Sequence, residues 1–200
     1  MTKVQIANVA LSKLGHTSRI ADLSEGSEEA RMVNDVWDYL REQALSYHEW
    51  RFARKRVTLA TIGTPGEAWG YRYALPTDCM LPIIIEDNEK DREPDEKIEW
   101  EQIVDTSTGS PVPAIDCDEL AAELVYIYSH DTVAYWPPHF VNAFVWTLAA
   151  ELAMPITSEP VIADRTVQRA LLEMSKAIST DLRSSEQKKQ RDSTFVTSRY

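Results

Sequence analysis

Two hundred residues with only six glycines are enough for one domain, or one domain with an insertion, that buries about 70% of the surface its unfolded chain exposes. The 21 basic and 32 acidic side chains leave a net charge of -11, which repels phosphate backbones and anionic membranes and excludes tight general nucleic-acid binding. The two cysteines, Cys79 and Cys117, stand far apart, so neither a disulfide framework nor a CxxC metal knuckle is indicated and both thiols are expected reduced. The N-terminal MTKVQIANVALSKLG lacks a charged leader ahead of an unbroken apolar stretch, and no run reaches the roughly 18 residues of a membrane span. A soluble, intracellular protein is the expectation.

Thr2 and Gln5 fit a capping box, Ala7, Ala10, Leu11 and Leu14 keep helical spacing, and Gly15 stands where a left-handed cap ends a helix. After the loop HTSRIADLSEG, Ser27 caps a second predicted helix. Glu28 and Glu29 favour its dipole, and Ala30, Val33, Trp37, Leu40, Ala44 and Tyr47 form its core-facing stripe. At HEWRFARKRVTLA the rhythm changes from helical to alternating: Trp50 and Phe52 bracket Arg51, Arg54, Lys55 and Arg56 follow, and Val57 and Leu59 begin a strand. VTLAT and WGYRYAL read as strands about the turn-rich IGTPGEA, and a short apolar strand lies between the prolines of YALPTDCMLPIII.

Residues 86–101 carry nine acids against three bases. They predict a solvated loop, with a strand resuming near Ile98. TSTGSPVPA reads as a turn, and Glu123 to Ser129 as a strand with Leu124, Tyr126 and Tyr128 on one face. Helices then return. One opens at Pro137 and Pro138 and closes at Pro155, with Phe140, Val141, Phe144, Val145, Trp146, Leu148, Leu152 and Met154 around most of its circumference. Such a helix must be covered by the rest of the fold or by a neighbouring subunit. A last helix begins near Ser158 with Val167, Leu171, Met174, Ile178 and Leu182 on its apolar face. Beyond it, residues 183–200 hold five bases and two acids, against sixteen and thirty in residues 1–182. A basic tail that meets something acidic is expected. The fold class is therefore α+β: a helical bundle from residues 1–50 and 137–182, an inserted antiparallel β-rich region over 51–136, and an extended tail from 183 to 200.

Chemical motifs fail one by one. His48-Glu49 starts like HExxH, but the fifth residue is Phe52 and the second imidazole is absent. The acids of 86–101 lack the glycine of a calcium loop and are interrupted by Pro94. His130-Asp131 is a lone dyad at a strand end, His139 lies beside a double proline, and Cys79 has no adjacent base. No glycine-rich phosphate loop occurs. Catalytic, cofactor and metal residues are all expected to be none.

The order of signals ALSKLG, IADLSEGSEEA, HEWRFARKRVTLA, YRYALPTDC and WPPHFVNAFVWTLAAELAMPIT, followed by a basic helix, resembles the tail tubular protein A-like head-to-tail adaptors of tailed bacteriophages. The resemblance covers roughly residues 5 to 182. Its strongest pieces are Trp50, Phe52 and Ala53 after the long helix, the segment of Leu75, Pro76, Asp78 and Cys79, and the helix ending in Ala153, Met154 and Pro155. The acidic run and the last eighteen residues fall outside it.

The resemblance implies a structural protein rather than an enzyme. It implies a dodecameric ring between portal protein and tail nozzle at the head-tail junction of the virion, assembled in the host cytoplasm, with DNA passing through unbound. On that view Arg183, Lys188, Lys189, Arg191, Phe195 and Tyr200 form a tail that docks on the portal. Trp50 and Phe52 clamp a hinge, while Arg51, Arg54, Lys55 and Arg56 reach acids of the same or an adjacent subunit. A hinge packed wholly within one subunit is the plainer alternative. Two rivals come from other classes: a small hydrolase using Cys79 or a histidine dyad, and a DNA-binding regulator, against which the acidic charge argues.

Overall fold

Thr2 opens helix α1 (Lys3–Lys13) as its sequence predicts: its side chain accepts from the Gln5 amide and the Gln5 side chain returns to the Thr2 amide. The helix stops at Gly15, whose φ of 78° lets the amides of Gly15 and His16 turn back to the carbonyls of Ser12 and Leu11. The loop that follows is latched to α1 by a paired bond, Asn8 donating to the Ile20 carbonyl and accepting from its amide. Helix α2 (Glu28–Ser46) starts at Ser27, whose hydroxyl accepts from the Ala30 amide.

The structure, a computed structural model, describes residues 1–86, 98–107 and 109–186. Most of the acidic stretch expected to be a loop, and the tail residues Lys188, Lys189, Arg191, Phe195 and Tyr200, lie outside the described residues. The chain divides into two compact units: a helical one of Met1–Arg41 with the chain from Thr132 onward, and a β-rich one of Glu42–Asp131. The fold class is α+β, with the antiparallel strands inserted between helices.

In the helical unit, Ala30, Val33, Trp37 and Leu40 of α2 are buried as their spacing predicts. Trp37 stacks on Trp136 and meets Phe144 edge-on, and Trp136 also meets Phe140. Phe140 and Phe144 belong to helix α3 (Pro138–Thr157), the hub of the unit. Two expectations for α3 are corrected. Pro155 does not close it: although Pro155 withdraws the N–H that the Glu151 carbonyl would accept, the last turn continues. Its Thr157 hydroxyl donates to Ala153 and the Ser158 amide to Met154, with Ser158 in the left-handed region at φ 55°. Nor is the helix too short for a membrane; at 20 residues it is long and apolar enough to cross one by length and composition. Nine of its side chains are nonetheless buried within the protein, which is the environment of a core helix, so its apolarity by itself calls for no neighbouring subunit. Trp146 is only half-buried, between Lys13 and Arg169, and Met154 is exposed.

Helix α4 (Pro160–Glu186) runs along α3 and extends four residues beyond the expected end of the helical region. Its orientation is the main departure from the sequence reading. Ala170, Met174 and Ala177 face inward together with Thr166, Glu173 and Asp181, whereas Val167, Leu171 and Leu182 are exposed and Ile178 is half-buried. Small residues on the inner face let the two backbones approach closely, and the inward polar groups find partners there.

The β-rich unit starts within α2, where Ala44 and Leu45 are buried and Tyr47, expected in the stripe, is exposed because the helix has already ended at Ser46. Strands β1 (Arg54–Thr58), β2 (Tyr71–Ala74), β3 (Cys79–Glu86), β4 (Trp100–Asp105), β5 (Val112–Cys117) and β6 (Glu123–Tyr128) form two antiparallel sheets, ordered β1-β6-β3 and β2-β5-β4. The turn expected over TSTGSPVPA is in part the start of β5, the central strand of its sheet. Pro113 is tolerated because it sits at the strand's second residue. Side chains from both sheets, among them Tyr73, Ile85, Ile115, Cys117, Leu124 and Tyr126, make one buried cluster. Tyr73 fixes the β5 to β6 turn: its hydroxyl donates to the Glu119 carbonyl and accepts from the amide of Ala121, which lies at φ 59°. Arg72 makes a two-pronged contact with Asp116, opposite it in register, and its third nitrogen lies 3.5 Å from Asp105.

Candidate functional site

The hinge between α2 and β1 is a short 3-10 turn, Arg51–Ala53, entered at Trp50. Trp50 is fully buried, and its indole N–H donates to the Ala44 carbonyl at 2.9 Å, so the end of α2 and the start of β1 are pinned by one side chain. Around it the aromatic groups run in series. His48 meets Trp50 edge-on, Phe52 leans on Trp50 and on His130, and Tyr128 stacks on the buried His130. Trp50 and Phe52 thus pack together at the end of α2, with His130 against Phe52.

The basic residues of the hinge lie in β1 itself, an edge strand, rather than before it. Arg54 donates to Glu49, Lys55 to Asp78 at 2.7 Å, and Arg56 pairs with Glu86 and approaches Glu123. Arg51 is exposed on the 3-10 turn. Of the two destinations open to these cations, the same chain accounts for Arg54, Lys55 and Arg56.

Lys55 also lies over the Tyr128 ring, and Asp78 accepts a second bond from the Tyr126 hydroxyl at 2.9 Å. The sequence reading missed this triad because its members are far apart in the chain. Burial works to raise the Asp78 carboxyl, but bonds from Lys55 and Tyr126 outweigh it and hold the group below the usual carboxylate range. Tyr126 is pushed up to about 12, by burial and then by Asp78. The bond to Asp78 raises Lys55 further. Each group is held in its ordinary neutral-pH charge state, which locks an ion pair rather than poising a proton for transfer.

Cys79, the nucleophile of the hydrolase alternative, is half-buried, and burial, with a smaller contribution from Asp78, pushes its thiol up to about 11. A nucleophilic cysteine needs the opposite shift. His139 Nε2 lies 3.9 Å from Asp181 Oδ1 in the helical unit, and burial lowers its pKa against the opposing pull of Asp181. Among the described residues no group of three or more His, Cys, Asp or Glu side chains is arranged to hold a metal ion.

The other candidate is a surface. On α4 the exposed Val167, Leu171 and Leu182 and the half-buried Ile178 recur at steps of four and seven residues, which places them along one line of the helix. Leu171 is 67% exposed and Leu182 53%. A second line, also exposed, holds Arg165, Arg169, Lys176 and Arg183. The inner face explains this inversion. Glu173 is buried yet receives Asn142 from α3, Lys176 and Arg169, each within 2.9 Å, and these contacts, led by Lys176, hold its carboxyl below the usual range. Rotating α4 to hide Leu171 would break the bond from Asn142 and carry Glu173 away from α3.

No protein-family model matches the chain, and no curated protein matches it.

Proposed function

We propose that the chain is a structural, non-enzymatic subunit of the head-to-tail adaptor kind, which assembles into a ring, dodecameric in the virion, between a phage portal and a tail nozzle. The observation that carries this reading is the outward apolar line of α4. An isolated soluble subunit gains nothing by exposing Leu171 and Leu182 in register, whereas an assembling one uses such a line as contact surface. The resemblance in the order of motifs supplies the kind of assembly. The net charge of -11 suits a channel through which DNA slides without adhering. The basic residues from Arg183 onward, with Phe195 and Tyr200, are the portal-docking tail of this reading. The pKa directions around Cys79 and Asp78 favour no acid-base or nucleophilic chemistry.

Sedimentation velocity and electron microscopy of the purified protein, alone and with the portal protein of the same genome, test the proposal. A ring with a central opening is expected in at least one of the two samples, and removal of residues 187–200 is expected to weaken portal binding at least tenfold, about 1.4 kcal/mol. A protein that stays monomeric in both samples, or that hydrolyses an activated ester in a Cys79-dependent way, overturns it.

A further inference from the structure

We infer that the cavity between α1 and α3 is a binding site for a small organic acid, a molecule with a compact apolar body and a single carboxylate. Such a site is independent of the adaptor reading, since every residue that forms it belongs to the helical unit of one chain. The cavity has a volume of about 340 Å³, at the lower end of the range for small-molecule sites, and holds a body of about one or two rings. Val9 of α1, Val141 and Val145 of α3, and Trp136 are among its walls. All but the half-buried Val9 are buried.

Lys13 and Asn142 supply the polar side chains of the lining, and they are not equivalent. Asn142 already donates to Glu173 of α4. Lys13 is exposed and, among the described residues, pairs with no carboxylate; its ammonium rests over the Trp146 ring, 5.2 Å from the centroid. The sign of that charge selects the ligand. No Asp or Glu lines the cavity, so an amine would meet Lys13 with nothing to balance either charge, whereas a carboxylate gains a charge-assisted bond. One cation beside apolar walls suits a monoanion rather than a phosphate dianion, whose second charge would lose water without a partner.

Trp136 adds a second requirement. It is 5% exposed and stacks on Trp37, and its indole N–H, shielded from water, has no hydrogen-bond partner among the described residues. A buried donor is costly while it stays unpaired. A polar ligand atom pressed against that wall is the acceptor that the fold itself does not provide.

Isothermal titration calorimetry of the full chain with naphthoate, naphthalenemethanol and acetate separates the body from the charge. Naphthoate is expected to bind saturably, the neutral alcohol about fivefold more weakly, and acetate not at all. Lys13→Met keeps the apolar stem and removes the ammonium, so it should weaken naphthoate by the same factor and leave the alcohol unchanged. Val9→Trp, at a half-buried position on the cavity wall, should abolish binding of both, with circular dichroism showing that the variant is folded. Val9→Phe serves if the larger ring does not fold. The site is overturned if naphthoate does not bind, if the alcohol binds as tightly, or if naphthoate binds the Lys13 or the Val9 variant as it binds the unmodified chain.

Discussion

Asn142 of α3 donates a hydrogen bond to Glu173 of α4 across 2.7 Å, at a carboxylate that is buried although it belongs to a helix with leucines on its outer side. That bond sets which side of α4 faces α3, while Lys176 and Arg169 of the same helix neutralise the carboxylate it buries.

Replacing Glu173 with Gln should therefore lower stability by about 1–3 kcal/mol at neutral pH, as Lys176 and Arg169 lose their charged acceptor. The sign of the pH dependence follows from the direction of the shift. The folded carboxyl titrates below the unfolded one, so its contribution is fully present above the unfolded pKa and is lost as pH falls through the folded one. Denaturant unfolding of both proteins from pH 7 to pH 3 should show the difference narrowing below about pH 4. A gap that stays constant over that range would show that the charge of Glu173 is not what stabilises the packing.

At the hinge, Trp50→Ala removes a fully buried indole and is expected to cost about 3–5 kcal/mol. Trp50→Phe keeps most of the volume but leaves the Ala44 carbonyl without its indole donor, at a cost of about 1 kcal/mol beyond the volume change. Thermal unfolding followed by far-ultraviolet circular dichroism ranks the two. Equal losses would mean that the hydrogen bond contributes nothing.

Asp78 raises the Tyr126 phenol in addition to burial. In Asp78→Asn the tyrosine should ionise at lower pH than in the unmodified chain, where it lies at about 12. Difference absorbance at the phenolate band, taken on protein that remains folded, reads the shift directly. An unchanged titration would remove Asp78 as a cause.

Cys79, with its thiol pushed up to about 11, should react with alkylating reagents at pH 7.5 on the order of a hundredfold more slowly than a free cysteine. Mass spectrometry of time-quenched samples measures it. Cys79→Ser should assemble as the unmodified chain does, and labelling at the free-cysteine rate would reopen the case for a nucleophile.

Local signals were legible in the sequence and distant ones were not. The capping box at Thr2, the turn at Gly15 and the cap at Ser27 use partners within five residues, and each forms as read. Strand β5 was hidden because Pro111 and Pro113 mark its entry like a turn, while its ladder partners lie forty-odd residues back in β2 and seven to seventeen back in β4. Helix α4 was misoriented for a subtler reason. Both of its sides keep helical spacing, and the choice between them was made by Asn142, thirty-one residues earlier and on another helix. The Lys55, Asp78 and Tyr126 triad shares that difficulty. The pairing of β1 and of β3 with β6, which sets Lys55 opposite Tyr126 and Cys79 opposite Tyr128, brings it together.

Among the described residues the sheet β1-β6-β3 has two unpaired edges, of different make. One is β1, whose exposed Arg54, Lys55 and Arg56 are paired with Glu49, Asp78 and Glu86; the other is β3, interrupted by Pro82 and by irregularities on either side of it. An incoming strand would have to desolvate three ion pairs at the first edge and would find an irregular ladder at the second. Both features disfavour extension of the sheet by another chain, and so oppose strand-to-strand polymerisation where copies are crowded together.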